Sequence, residues 1–294
     1  MKVLILGGAG MLGHQIFLKL KHSFGVENVA CTLRKAKSHY DRFQIFKDSL
    51  VFENVNVLDF SSLKKTLEKF QPQVIINCIG LTLRKPELSD LEKCIQVNSM
   101  LPHQLAKWGM TNNCRIIHFS TDCVFDGARG GYLESDVPNA GDLYGQSKFL
   151  GEIGYANSLT FRLSIVGREL EGKTELIEWF LSQKGKSVKG FSKALYSGLT
   201  TNFVASEVLR VLKDYPQLSG VYQLASEKIS KFELLKIMND VYQTKTAIQD
   251  NPDYVSDKSL NCDLYTKTTG FQKPSWKTMI EDMKKEEKVS YENI

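Results

Sequence analysis

The first half of the chain alternates short, nearly continuous apolar runs with longer stretches in which apolar residues recur at helical spacing. Residues 3–6, 29–33, 55–58, 73–78, 115–120 and 159–163 read as strands, and 12–24, 61–70, 91–108 and 144–156 as the helices between them. Strands without polar alternation need cover on both faces, which is what a parallel sheet between two helix layers provides. With right-handed crossovers, the expected fold is α/β: a doubly wound parallel sheet of the Rossmann type.

After residue 163 the rhythm loosens. Residues 175–183, 202–214 and 232–242 read as helices, the last with Ser230 as its N-cap, and 186–190 and 220–224 as strands. The expected organisation is a cofactor domain over 1–165 and a smaller C-terminal substrate-binding lobe over 166–294, with the strand near 220–224 rejoining the main sheet. From Lys284 onward the residues are largely charged, and fraying is expected there.

Composition narrows the function classes. A chain of 294 residues with 42% hydrophobic and 24% charged residues can bury a substantial core. Its net charge of +5 comes from scattered rather than clustered Lys and Arg, so no nucleic-acid surface is expected. No apolar stretch approaches the roughly 20 residues needed to cross a bilayer, so no membrane partner is expected. The six cysteines form no C-x-x-C pair and no metal-ligand spacing with the five histidines, which gives an expectation of no metal. With no basic-then-apolar leader at its start, the chain is expected in a reducing cytoplasm.

The chemistry begins at Gly7-Gly8-Ala9-Gly10-Met11-Leu12-Gly13, between the first strand and the first helix. Gly7, Gly10 and Gly13 permit a tight turn, and with Met11 and Leu12 they bring backbone close to a pyrophosphate at the helix N-terminus. An NAD-preferring site usually carries a carboxylate at the end of the second strand. This chain has Thr32-Leu33-Arg34-Lys35 there, so Arg34 is expected to pair with a 2′-phosphate, against the alternative of a solvated basic turn. NADP(H) is therefore the expected cofactor. Asp59 fits either an adenine-amino acceptor or a helix N-cap, with Ser61 as a competing cap. Cys78, Ile79 and Gly80 end the fourth strand, where backbone passes the cofactor. Asn98 is either a polar brace for the site or a helix-surface residue.

The fifth strand delivers Ser120-Thr121-Asp122 to its C-terminal end, and Tyr144 and Lys148 stand four residues apart on one helix face. A nearby ammonium is expected to lower the tyrosine from its ordinary value near pH ~10, making Tyr144 a usable proton donor. Lys148 also holds the cofactor ribose, and Thr121 bonds the substrate oxygen where charge develops.

These residues resemble the extended short-chain dehydrogenase/reductase superfamily. Ser120-Thr121-Asp122-Cys123-Val124-Phe125-Asp126-Gly127, followed by Tyr144-Gly145-Gln146-Ser147-Lys148 and Gly151-Glu152, is similar to the dTDP-4-dehydrorhamnose reductase family. The likeness covers the chain to about Arg162. It implies hydride transfer from NADPH to the C4 ketone of a 4-keto-6-deoxy nucleotide sugar held by the C-terminal lobe, with Thr121, Tyr144 and Lys148 catalytic and a homodimer as the assembly. Related dehydratases carry an Asp-Glu pair where this chain has Asp122-Cys123, which argues against loss of water. The reductases carry R-T-S-W where this chain has Arg162-Leu163-Ser164-Ile165, which leaves the sugar open. Residues 189–201, with Lys193, Tyr196 and Ser197, either meet the nucleotide or simply join the lobes. Two rival readings are a non-catalytic NADP-binding subunit, resembling the methionine adenosyltransferase β subunit, and a nucleotide-sugar epimerase.

Overall fold

The computed structural model describes residues 1–82, 86–172 and 174–290. Its first half contains β1 (Val3–Leu6), α1 (Gly13–Phe24), β2 (Val29–Thr32), β3 (Leu50–Phe52), α2 (Phe60–Phe70), β4 (Val74–Asn77), α3 (Leu91–Cys94), α4 (Leu101–Asn112), β5 (Arg115–Thr121), α5 (Leu143–Leu150) and β6 (Ser158–Leu163). A π-helical stretch, Ile95–Met100, joins α3 to α4. The second half adds β7 (Ile165–Val166), α6 (Leu176–Leu181), β8 (Ser187–Phe191), β9 (Ala194–Tyr196), β10 (Leu199–Thr200), α7 (Thr201–Asp214), β11 (Gly220–Gln223), β12 (Ile229–Ser230), α8 (Lys231–Tyr242), β13 (Ala247–Asn251), β14 (Ser256–Asp257), α9 (Asp263–Thr269) and α10 (Trp276–Ser290).

Seven strands form one sheet in the order β11-β6-β5-β4-β1-β2-β3, all pairings parallel. Side chains alternate across each strand. In β1, Val3 and Ile5 join a core layer with Ile16 and Phe17 of α1 and Val208 of α7, whereas Leu4 and Leu6 join a second layer with Leu63 of α2 and Leu105 of α4. The chain winds from β1 toward β3 on one side and from β4 toward β6 on the other. That reversal opens a crevice beyond the carboxyl ends of the strands, where ligands bind in such sheets. β11 pairs in parallel with β6, as expected of the strand near 220–224. The remaining short strands form three small sheets, β10-β7, β12-β9-β14 and β13-β8.

The elements expected after residue 163 fall within a residue or two of their observed bounds. Ser230 caps α8 by accepting from the Glu233 N–H (3.1 Å), while its hydroxyl donates to the Glu233 carboxylate (3.2 Å). Three expectations are corrected. The third strand is Leu50–Phe52, not 55–58: Val51 pairs with Cys31, and Asn54, at φ 56°, then turns the chain away. The helix expected over 144–156 stops at Leu150; Gly151, its C-cap, packs so closely that a Cβ there would stand 1.9 Å from the Asn98 carbonyl oxygen. The chain also remains helical beyond Lys284, whose ammonium donates to the Val241 carbonyl (2.6 Å) and lies over the Tyr242 ring. Residues 291–294 of the expected frayed end lie outside the described residues.

Candidate active site

The glycine turn is built by close approach. Gly7 sits at φ +83°, and a Cβ at Gly13 would stand 2.1 Å from the Gly7 carbonyl oxygen, so the first turn of α1 can lie directly on the end of β1 only with glycine there. The Gly10 N–H donates to the Gly7 carbonyl (3.0 Å) and closes the turn. α1 opens with no side-chain cap and no acidic residue in its first turn, which leaves the positive end of the helix for an anion. Gly10, Met11 and Leu12 line a cleft of ≈ 700 Å³ along the strand ends, whereas Gly7 and Gly13 shape the turn beneath it.

Arg34 lines the same cleft beside Tyr40, just past β2. Cys78, Ile79 and Gly80 line it past β4. Asp59 is corrected: it is not among the described residues lining the cleft, and it caps α2 instead of Ser61, accepting from the Ser61 and Ser62 N–H groups (3.0 and 3.2 Å). Asn98 is a buried brace rather than a lining residue. Its amide accepts from the Leu81 N–H (2.8 Å) and donates to the Leu81 carbonyl (3.0 Å) and the Ser147 hydroxyl (3.1 Å), tying the loop after β4 to α5.

At the other end of the cleft stand Thr121, Tyr144 and Lys148. β5 presents Thr121 at its last position, and α5, capped by Asp142 through the Gly145 N–H (2.8 Å), presents the other two. The Thr121 and Tyr144 side chains line the cleft together. Thr121 also donates to the Asp122 carboxylate (3.1 Å) and accepts from the Cys123 N–H (3.1 Å). Lys148 is buried, its ammonium donates to the Phe119 carbonyl (2.7 Å), and burial lowers its pKa to about 8. The expected lowering of Tyr144 is overturned. Burial pushes the phenol above its ordinary value, and the neighbouring Thr121 hydroxyl offsets this only in part. Burial likewise raises the Asp122 carboxyl and pushes the Cys123 thiol up to about 12.

The Tyr–Lys helix is tied to the sheet below by a network that the sequence reading left unassigned. Glu152, just beyond α5, accepts from the Ser120 hydroxyl (2.7 Å) and takes two bonds from Arg162 (2.8 Å each), with both charged side chains buried. Its signal was the acidic residue closing the stretch 144–152.

The cleft is further walled by residues 163–166, which include Ile165, by Glu169, Leu170 and Glu171, and by Ala194, Leu195, Tyr196 and Tyr254. Of the candidates in 189–201, Tyr196 lines the cleft. Ser197 instead accepts from the Leu260 N–H (2.9 Å), and Lys193 is not among the described lining residues. Lys231 and Lys258 also line it, from α8 and just past β14; they lie in no motif, so nothing in the sequence pointed to them. Among the described residues no His, Cys, Asp and Glu side chains group as a metal site, and no helix is long and apolar enough to cross a membrane.

A parallel Rossmann sheet with a glycine turn at one end of its crevice and a Thr–Tyr–Lys cluster at the other defines a protein of the extended short-chain dehydrogenase/reductase class. Within that class, the chain belongs to the RmlD substrate binding domain family, whose model matches residues 1–289. It is 32% identical over 153 residues to methionine adenosyltransferase 2 subunit beta of Mus musculus, a match covering 51% of this chain and 41% of that protein. The matched part thus spans less than half of that relative's length. Among solved structures, it is similar to a hypothetical dTDP-4-dehydrorhamnose reductase of Sulfolobus tokodaii, with 25% identity, a TM-score of 0.76 and coverage of 94% of this chain and 98% of that one. It shares the fold of the Bacillus anthracis dTDP-4-dehydrorhamnose reductase solved in complex with NADP, with 18% identity, a TM-score of 0.77 and coverage of 97% and 99%.

Proposed function

We propose that this chain reduces the C4 ketone of a 4-keto-6-deoxy nucleotide sugar with NADPH. The observation that carries the reading is the gathering of Thr121 and Tyr144 in one cleft with the buried Lys148, at the carboxyl end of β5. A dinucleotide fits the chain's own features: the uncapped α1 N-terminus, the glycine turn and Arg34 in the same cleft. When bound, NADPH supplies the hydride.

Tyr144, with its pKa raised, holds its proton at neutral pH and gives it up to the ketone oxygen as negative charge develops there. Thr121, anchored on Asp122, hydrogen-bonds the same oxygen. Lys148, with a pKa of about 8, is mostly charged near pH 7; it stabilises the phenolate left on Tyr144 and holds the ribose. Arg34, in the cleft just past β2, suits the phosphate-bearing cofactor. Lys231 and Lys258 suit the substrate diphosphate. Cys123 offers no second acid for loss of water, which favours net reduction.

The test is NADPH oxidation with a panel of 4-keto nucleotide sugars on dTDP, UDP and GDP. Turnover of at least one is expected. Tight NADPH binding with no turnover on any, together with co-purification of a partner enzyme, would overturn the reading. That outcome fits the second reading, a cofactor-binding subunit, which the 32% identity to methionine adenosyltransferase 2 subunit beta favours.

A further inference from the structure

The segment around β14 meets the cleft with every second residue. Tyr254, Ser256 and Lys258 line it. Between them, Val255 is 71% exposed and Asp257 pairs with Lys228 (3.3 Å), and neither is among the described residues lining the cleft. Alternate side chains of an extended segment share one side, so the three form a row. At roughly 3.3 Å per residue, Tyr254 and Lys258 stand about 13 Å apart along it.

The row has a direction. Its N–H groups climb β9: Ser256 donates to the Lys193 carbonyl (3.0 Å), Lys258 to the Leu195 carbonyl (3.0 Å) and Leu260 to the Ser197 hydroxyl (2.9 Å). β9 leads on to Leu199, whose N–H donates to the Ser164 carbonyl (2.9 Å) just past β6. The Lys258 end therefore lies toward the main sheet and the Tyr254 end away from it. The loop that follows Thr121 and Asp122 also grips the Lys258 end directly. Gly127, at φ +84°, accepts from the Asp257 N–H (2.7 Å). A Cβ at Gly127 would stand 2.5 Å from the Ser256 hydroxyl oxygen and 2.9 Å from the Lys258 Cγ, so only glycine lets both side chains lie across that backbone.

At the far end, Tyr254 is 51% exposed, and the Phe191 ring backs it with centroids 5.4 Å apart. A half-bare aromatic ring in a cleft gains from a flat partner that covers it.

Taking the substrate to be the nucleotide sugar proposed above, we infer that Tyr254 is the platform on which its base stacks, with Lys258 at the diphosphate between base and sugar. The order along the row is then the order within the ligand: sugar at Thr121 and Tyr144, diphosphate at Lys258, base at Tyr254. The distance along the row, shortened by the reach of the lysine side chain, suits the ribose and diphosphate that join base to sugar. Stacking uses the π-face that every base has, so the platform requires a base without choosing among bases.

The test is calorimetric titration of the NADP⁺-loaded protein with dTDP, UDP and GDP, and with ribose 5-diphosphate, which lacks a base. The wild type is expected to bind at least one nucleotide about tenfold more tightly than ribose 5-diphosphate. Tyr254→Leu is expected to bind that nucleotide and ribose 5-diphosphate alike, whereas Tyr254→Phe keeps the ring and discriminates as the wild type does. Lys258→Gln is expected to weaken both ligands, because it meets the part they share. Discrimination that survives in Tyr254→Leu or disappears in Tyr254→Phe, or a wild type that binds all four diphosphates alike, overturns the platform and leaves the proposed reaction standing. A loss confined to the nucleotide in Lys258→Gln overturns the placement of Lys258 at the diphosphate. Failure of all three nucleotides to bind, with NADP⁺ still bound, overturns the nucleotide-sugar reading and the platform with it.

Discussion

The two ends of the cleft are built from different materials. The reacting end is made of Thr121, Asp122 and Lys148, all buried, on the last turn of a strand and the face of a capped helix. The far end, past β2, is made of charged side chains on loops. There Glu171 lies against His39, with Lys35 at 3.5 Å and Arg42 at 3.8 Å, and their side chains are between 31% and 61% exposed. At the buried end, desolvation decides protonation, lowering Lys148 to about 8 and raising Tyr144. At the exposed end, water and salt screen each pair, which is worth about 0–1 kcal/mol. On the proposed function, chemistry belongs at the first end and tuning of affinity at the second.

The largest effect that would break this contrast is at Tyr144. Tyr144→Phe removes the proton donor while keeping the ring, and turnover is expected to fall roughly 10²–10⁴-fold, the usual contribution of a positioned acid. NADPH affinity, read by fluorescence titration, is expected to stay nearly constant. Unchanged turnover would take Tyr144 out of the donor role.

Desolvation governs protonation under the glycine turn as well. His14, fully buried under the glycine turn, has Nδ1 2.8 Å from the Gly10 carbonyl and Nε2 3.2 Å from the Gln15 amide nitrogen. The first contact requires a ring N–H donor and the second a ring acceptor, so the pair fits a neutral imidazole. Burial lowers its pKa from 6.5 to about 4, and buried His118 is lowered as well, chiefly by burial with the Lys148 charge adding to it. Between those values the unfolded chain binds more protons than the folded one. The stability from neutral His14 is thus complete above pH 6.5 and is lost as pH falls toward 4, by about 3 kcal/mol at most. Urea melts across that window are expected to show this slope, reduced in His14→Gln. An unchanged slope would clear His14 of the effect.

What the sequence made legible follows from what is local. The spacing of Gly7, Gly10 and Gly13 and the four-residue step from Tyr144 to Lys148 are properties of one turn and one helix, and both appear in the structure as read. Burial is a property of the whole fold, so the sequence carried Tyr144's pKa in the wrong direction: the spacing showed an ammonium nearby but not how little water reaches the phenol. Asp59 was ambiguous because an adenine acceptor and an N-cap are the same residue type at the same place, and the Ser61 and Ser62 contacts show the cap. The third strand was misplaced because 55–58, with three apolar residues in four, competes with the shorter apolar run 50–52, and register against Cys31 chooses between them. Lys231 and Lys258 stayed hidden because they meet only in the folded cleft.

The smallest expected effects lie at the exposed end, where two substitutions should act in opposite directions. On the proposed pairing of Arg34 with a 2′-phosphate, Arg34→Ala is expected to weaken NADPH about tenfold, or about 1.4 kcal/mol, and NADH by about twofold or less. Glu171 places a carboxylate among Lys35, His39 and Arg42 beside the same part of the cleft, competing with any phosphate for those cations. Glu171→Gln removes the competing charge and is expected to tighten NADPH by roughly threefold, leaving NADH nearly unchanged. Raising the salt concentration should shrink both changes, since neither site is shielded from ions. Equal loss of both cofactors in Arg34→Ala would mean that Arg34 does not read the phosphate. A salt-insensitive change in either variant would mean that this end is not governed by screened charge, and the contrast with the buried end would fail there.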